Sequence, residues 1–396
     1  MDELEPTATE GSELQPVVEA AGDGTPTRRG AKLEEGAALC LSGGGTRALL
    51  FHLGALWRLN ELGMLPLVER ISSVSGGSIV AGVLAMNWDE LEFDGHGRAG
   101  RFSEAVEKPL RAFSRRTHDV PAGIRGVFGR GSTAQAYAAA LARHLYGDRT
   151  LQDLPDRPRF VFNASNLQST ALFRFSKPYC ADYRVGRILQ PRFRLADAVA
   201  ASGAFPPFFS PLVLDLREHK LAEDAGNDLH FAPYTERALL ADGGLYDNLG
   251  LETIYKRYRT LLVSDGGGRT EAEPRPQTDW IRQPLRLMKI LDLQVRNLRY
   301  RMLMHAYDTG QRDGAFWGIR SDVASFRARN SLPCPVAATQ RLARIPTRLA
   351  KVPEVTQEQL INWGYAVADA SLRAHLRPDA VPPTQFPYRD AGVGRA

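Results

Sequence analysis

One serine in this chain sits where a hydroxyl could be made to react. The stretch Ile71-Ser72-Ser73-Val74-Ser75-Gly76-Gly77-Ser78 reads as the end of a strand running into the start of a helix. A sharp turn of that kind pushes its central side chain out of the sheet and admits only small neighbours. Ser75 takes the central place. Gly77 follows two positions on, and Ser73 stands two positions before, where the usual pattern has glycine. Ser73 and Ser78 are further hydroxyls, but neither occupies the centre of the turn. Taken alone, the stretch describes a helix-capping serine equally well. As a nucleophile, Ser75 would need a base, because serine does not ionise near neutral pH.

A second stretch supplies what an acyl transfer needs. Gly43-Gly44-Gly45 lies between an apolar run and a helical one, so backbone amides and the helix dipole can face a developing oxyanion. With the Gly76 amide, these three glycines are the candidate oxyanion hole, and Arg47 is the basic residue of the loop. Gly43-x-Gly45-x-x-Ala48 also satisfies a dinucleotide fingerprint, which requires an acidic residue at the end of the next strand. That strand ends in Ser75-Gly-Gly-Ser instead. A phosphate-binding loop fails as well, for want of Gly-Lys-Ser/Thr.

Two carboxylates are candidates for the base. Asp242 precedes Gly243-Gly244, and Asp265 precedes three further glycines, each at the end of a predicted strand. The histidines that follow Asp242, His305 and His375, fall inside predicted helices. A Ser–His–Asp triad in the order Ser, Asp, His would place the histidine in a loop. Asp242 is therefore the expected base, acting directly on Ser75, with Asp265 as a turn residue beside the site. Burial would make such a carboxylate a better base than a free one.

These groups need elements to hold them. Gly36 to Ser42 and Val68 to Val74 read as strands, with a helix over 46–62 between them and another over 78–87 after. That alternation predicts a parallel sheet. Further helices are expected near 103–115, 133–145, 196–201, 249–257, 285–305 and 356–376. Further strands are expected at 160–166, 171–175, 239–241 and 260–264. Residues 1–35 read as a disordered tail rich in Glu, Gly, Thr and Pro. The main domain is expected over 36–270 and a mainly helical C-terminal extension, packed on it, over 271–396.

Composition narrows the class. The chain has 396 residues, is 43% hydrophobic and carries a formal net charge of +5, mostly from arginine. There is no basic run interleaved with aromatics and no zinc-finger spacing, so nucleic acid is not expected as a partner. Cys40, Cys180 and Cys334 are too few and too scattered for a disulfide framework or a metal site, which fits the cytoplasm. No apolar run approaches the ~20 residues of a membrane span. The N-terminal stretch lacks the apolar segment of a signal peptide, and Glu34 and Glu35 follow Arg28-Arg29 where a twin-arginine signal would be apolar. Contact with a membrane is expected from its surface alone.

The helix at 285–305 puts Leu285, Met288, Leu291, Val295, Leu298 and Met302 on one stripe, with Arg286, Lys289, Arg296 and Arg299 mostly off it. It is expected to dock by the stripe and leave the basic face in water. The alternative is a basic amphipathic helix lying on an anionic membrane. Phe205, Phe208 and Phe209 could line an acyl channel or fill core.

Taken in order, Gly43-Gly44-Gly45-Thr46-Arg47, Ser73-Val74-Ser75-Gly76-Gly77, Ala200 to Pro207 and Asp242-Gly243-Gly244 resemble the patatin-like phospholipases over roughly residues 36–270. The resemblance implies a three-layer α/β/α fold with a mainly parallel central sheet. It also implies a Ser–Asp dyad acting on acyl esters, chiefly of phospholipids, with no cofactor and no metal. Ser75 maps to the nucleophile, Asp242 to its partner and glycines 43–45 to the oxyanion hole. Ser73 departs from the family's elbow glycine, and Gly244 stands where many members carry alanine. The expected function is a lipid acyl hydrolase of phospholipase A or lysophospholipase type, working on lipid at a membrane surface or micelle. The rival readings are a His-dependent esterase or triacylglycerol lipase, and a non-catalytic lipid-binding module. The oligomeric state is left open.

Overall fold

The computed structural model describes residues 33–117, 133–207, 209–223, 227–268, 270–280 and 282–394. Its first strand, β1 (Glu34–Leu41), shows why the fold has layers. Successive side chains of a strand point to opposite faces. Leu39 and Leu41 enter one buried cluster while Ala38 and Cys40 enter another. Apolar residues on both sides mean that both faces of the sheet are covered, as a parallel strand requires.

Around β1 the parallel part of the sheet assembles. β2 (Val68–Ser73) and β10 (Tyr258–Asp265) flank it, β3 (Arg159–Asn166) pairs with β2, and β11 (Asp313–Gly318) closes the far edge on β10. Beyond β3 the sheet turns antiparallel through β4 (Leu172–Phe175), β5 (Tyr179–Asp182), β6 (Gly186–Leu189) and β8 (Leu221–Ala222). Helix α1 (Gly45–Glu61) leaves β1 through the glycine loop, and α2 (Gly76–Met86) leaves β2 through the serine turn. Helices α3 (Lys108–Ser114) and α4 (Thr133–Leu141) follow, and α5 (Leu195–Ser202) packs on α4 and β3.

The strand carrying Asp242 departs from the parallel expectation. β9 (Arg237–Asp242) runs antiparallel to β3 and also pairs with β7 (Leu212–Asp215). It shares an edge of β3 with β2. Ser73 of β2 lies opposite Phe162, and Asp242 of β9 lies opposite Ala164. The two strands therefore approach head-on, and their C-terminal ends face each other about 7 Å apart along β3. This collision of strand ends brings Ser75 and Asp242 together.

Other expectations need correction. Residues 249–257 form turns rather than a helix, and Gly250 near their start adopts φ 74°. The helix here is the short α6 (Gly244–Asp247). After residue 270 the chain adds a strand to the sheet, β11, as well as helices α7 (Arg282–Asp308), α8 (Val336–Ala343) and α9 (Glu354–His375). α9 packs along α1, and its Ile361, Trp363 and Val367 join the cluster that holds Leu39 and Leu41.

Helix α7 reverses the docking expected of it. Among its described residues the buried ones are Arg296, Leu303 and Ala306, whereas Leu291, Leu298 and Met302 are exposed. The reason is electrostatic. The surface under α7 presents Asp247, Glu252 and Asp265, and Arg299 and Arg296 answer them. Among the described residues no helix is long and apolar enough to cross a membrane. Cys40, Cys180 and Cys334 are all free thiols.

Candidate active site

Ser75 occupies a backbone conformation that ordinary residues avoid, with φ 51° and ψ −116°. Such strain persists only where the surroundings over-determine it. Here the surroundings are a chain of hydroxyls. The Ser75 amide donates to Ser202 Oγ at 3.0 Å, Ser202 Oγ lies 2.8 Å from Ser78 Oγ, and Ser78 donates to Ser73 Oγ at 3.0 Å. Ser73 in turn donates to the Val161 carbonyl at 3.2 Å. Thus Ser73, the non-glycine residue of the elbow, is buried and bonded. From β3, the Asn163 amide donates to Ser72 Oγ and to the Ser73 carbonyl, at 2.9 and 3.0 Å.

The turn also depends on close backbone approach. A Cβ on Gly76 would stand 2.3 Å from the Gly45 carbonyl oxygen, and one on Gly77 would stand 2.2 Å from that of Leu41. The glycine pair after Ser75 is what lets α2 begin against the glycine loop.

Asp242 is buried, with the Ser75 side chain beside it. The Gly244 amide donates to its Oδ1 at 2.7 Å. Its backbone is pinned as well: its amide donates to the Ala204 carbonyl at 2.8 Å, and its carbonyl accepts from Ser165 Oγ at 2.9 Å. The Gly243 amide donates to the Ser202 carbonyl, so one short segment after α5 supports both Ser75 and Asp242. Burial pushes the Asp242 carboxyl up from 3.8 to about 7, against the lowering pull of the Gly244 amide and the neighbouring Ser75 hydroxyl, with the Asp292 charge adding to the rise. A carboxylate of that basicity is suited to take a proton near neutral pH.

The glycine loop divides. The Gly43 amide is committed to the Asn248 carbonyl at 3.1 Å, and this removes Gly43 from the candidate oxyanion donors. The amides of Gly44, Gly45 and Gly76 have no partner among the described residues. Arg47 is buried. It donates through Nε to the Gly266 carbonyl at 3.2 Å, through Nη1 to the Ile345 carbonyl and through Nη2 to Thr347 Oγ1 at 2.9 Å. It ties the loop to the segment before α9, and Thr46 adds an amide bond to the Arg348 carbonyl at 2.9 Å.

These groups open into a cleft of about 480 Å³, with Ser75 and Asp242 at one wall and Phe205, Leu245 and Asn248 beside them. Met288, Lys289, Asp292 and Arg296 of α7 form the opposite side, and residues 343–348 complete it. Phe209 instead fills core against Tyr137, with ring centroids 5.2 Å apart, and Phe208 lies outside the described residues. His305 and His375 are exposed, and neither lines the cleft. The buried His52 is engaged elsewhere, between Ser264 Oγ and the Ser42 carbonyl, and burial lowers it to about 4. No group of three or more His, Cys, Asp or Glu side chains among the described residues is arranged to hold a metal ion.

Asp265 is as buried as Asp242 but differently partnered. Its Oδ1 accepts from the Gly267 amide at 2.8 Å, and Arg320 and Arg296 pair with it at 3.4 and 4.0 Å. Those cations hold its carboxyl below the usual value despite burial. Three supporting residues were not evident in the sequence: Ser202, Asn163 and Asp292. Only Ser202 had a signal there, through its place in the Ala200 to Pro207 segment.

A family model described as patatin-like phospholipase matches residues 39–255. Among solved structures, human GIVD cytosolic phospholipase A2 is similar at 14% identity with a TM-score of 0.47, covering 87% of this chain and 64% of its own. The same protein in complex with methyl gamma-linolenyl fluorophosphonate is similar at 16% identity and a TM-score of 0.45, covering 86% and 57%. VipD from Legionella pneumophila is similar at 15% identity and a TM-score of 0.36, covering 87% and 68%. The chain thus spans less than two thirds of the length of the phospholipase A2 structures it matches. No curated protein matches it.

Proposed function

The chain belongs to the patatin-like phospholipase family, and on that premise we propose that it is a lipid acyl hydrolase with a Ser75–Asp242 dyad. The observation that carries this reading is a serine of strained backbone standing in one cleft with a buried carboxyl raised to about 7. Ser75 Oγ attacks the ester carbonyl carbon while its proton passes to Asp242. The amides of Gly44, Gly45 and Gly76 bind the oxyanion that forms. Collapse of the tetrahedral intermediate breaks the bond to the leaving alcohol, which takes the proton from Asp242 and leaves an acyl-serine. Water then attacks the acyl-serine with Asp242 again as base, releasing the carboxylic acid and returning the proton to Ser75.

Phe205, Leu245 and Met288 give the cleft apolar contacts for an acyl chain, and the cleft's location at the surface suits a substrate presented by a bilayer or micelle. The test is covalent labelling of the purified chain with a fluorophosphonate probe, together with hydrolysis of a lipid panel. Wild type should be labelled and hydrolyse lipid ester, and Ser75→Ala should do neither. Full hydrolysis by Ser75→Ala would end the model. Loss of activity on replacing His305 and His375 would transfer the base role to histidine, whereas the dyad requires that activity survive.

A further inference from the structure

Helix α7 faces two ways. Its inner side buries Leu303 and Ala306 near the C-terminal end and is otherwise built on polar contacts: Asp292 and Arg296 line the cleft, Arg296 donates to the Gly268 carbonyl at 3.1 Å, and Arg299 pairs with Asp247 and Glu252 at 3.3 and 2.8 Å. On its outer side Leu287, Leu291, Leu298 and Met302 follow one another at steps of four, seven and four residues, which is one line along a helix. They are 50, 64, 59 and 37% exposed. Ile290 is exposed beside them, and Trp280, just before the helix, is 83% exposed. A helix that only covers a core puts its apolar line inside. This one buries only Leu303 and Ala306 inside and keeps a second apolar line outside, while the carboxylates beneath it take its arginines.

Charge accompanies the line. α7 carries six Lys and Arg against two Asp. Arg301 on the helix, and Lys289 and Arg348 at the cleft, have no ion-pair partner among the described residues. We propose that α7 is the element that seats this chain on an anionic lipid surface. The apolar line would lie in the boundary between head groups and acyl chains, Trp280 at the head-group level, and the three cations against lipid phosphates.

Place and charge both favour lipid over protein as the occupant. The helix is itself the wall of the cleft, so a bilayer on its outer face lies about one helix diameter, ~10 Å, from the lipid-accessible space beside Ser75. Phe205 and Leu245, on the other side of that cleft, are exposed apolar residues too. A second copy of the chain packed on the same face across a two-fold axis would set this basic helix against itself. The importance of the surface for substrate delivery rests on the hydrolase reading, but the docking itself does not.

The test is co-sedimentation of the full chain with vesicles of phosphatidylcholine alone, and of phosphatidylcholine with about one-third phosphatidylglycerol. Wild type should bind the anionic vesicles about tenfold or more tightly than the neutral ones. Leu291→Asp with Leu298→Asp should lose about tenfold or more of that binding, and Arg301→Glu should lower the anionic preference severalfold. Thermal unfolding and hydrolysis of a soluble short-chain ester by the double leucine variant should match wild type. Unchanged vesicle binding by that variant would overturn the proposal, as would equal binding to both vesicles or no binding. A wild-type dimer in sedimentation velocity that the leucine variant dissolves would overturn it too, and give the face to a second copy. Vesicle binding by a chain that hydrolyses no ester would sink the hydrolase reading and leave the docking standing.

Discussion

Asp242 and Asp265 end two strands of one sheet, and their local surroundings are nearly the same. Each follows an apolar run and precedes glycines, each is 4% exposed or less, and each accepts a hydrogen bond from the amide of the glycine two residues on. Their acidities nevertheless move in opposite directions, up to about 7 for Asp242 and below the usual value for Asp265. Burial acts on both. The difference is the company each keeps across the fold: Arg296 and Arg320 reach Asp265, while Asp242 meets the Ser75 hydroxyl and the like charge of Asp292. Cations beside a buried carboxylate keep it charged, and without them burial raises its basicity.

The sharpest way to break this contrast is to neutralise each carboxylate in turn. Asp242→Asn should lower kcat for ester hydrolysis about 10⁴-fold, the scale on which members of a catalytic unit act. Asp265→Asn should leave activity per folded molecule within about tenfold and cost about 3–5 kcal/mol of stability, because it takes the carboxylate away from the buried Arg296. Urea unfolding beside initial rates distinguishes the two. A stable Asp265→Asn with dead chemistry would reverse the assignment.

Acidity should separate them next. The active form of Asp242 is the carboxylate, so kcat/KM should rise with pH and level off above about 7. Stability should run the other way. Folded Asp242 keeps a proton that the unfolded chain has lost above 3.8, so its contribution declines as pH rises from about 4 to 7. Asp242→Asn should abolish that decline. Asp265, with its lowered value, contributes fully above the unfolded value and loses that contribution as pH falls through its folded one. A pH-rate profile with no inflection near 7 would remove Asp242 as the base.

Smaller changes sharpen the site half of the comparison. Ser202→Ala removes the acceptor of the Ser75 amide and should cost about tenfold in kcat with little change in KM, since it disturbs position rather than binding. The smallest shift in stability should come from Ser75→Gly: it removes the nucleophile and so all hydrolysis, but it relieves the positive φ and should raise stability by about 1 kcal/mol. Unfolding at or below the wild-type midpoint would show that Ser75 is not strained.

Much of the site was legible because it is local. The elbow around Ser75, the glycine loop and the strand-ending Asp242 are short runs whose residue types force a turn, a close approach or a buried end. Regular strands and helices such as β1, α1 and α9 carried their periodicity openly. The short antiparallel strands β5 to β8 did not, being two to four residues each. The helix expected at 249–257 is a run of turns, with a positive φ at Gly250 near its start. The fate of Gly43 turned on the Asn248 carbonyl, a contact that no local pattern announces.

Sequence by itself determined that a serine would stand on a tight turn beside a loop of glycines, and that two acidic residues would end strands nearby. Tertiary structure decided how far apart the acidities of those two stand, because a carboxyl's pKa depends on charges that arrive from distant elements. It also decided the orientation of α7. Apolar spacing predicts a stripe, but the ground beneath this helix is largely acidic, so Arg296 and Arg299 turn inward with Leu303 while Leu291, Leu298 and Met302 stay outside. Periodicity is a property of one segment, whereas electrostatic partnership is a property of two, and only the fold brings the second one near.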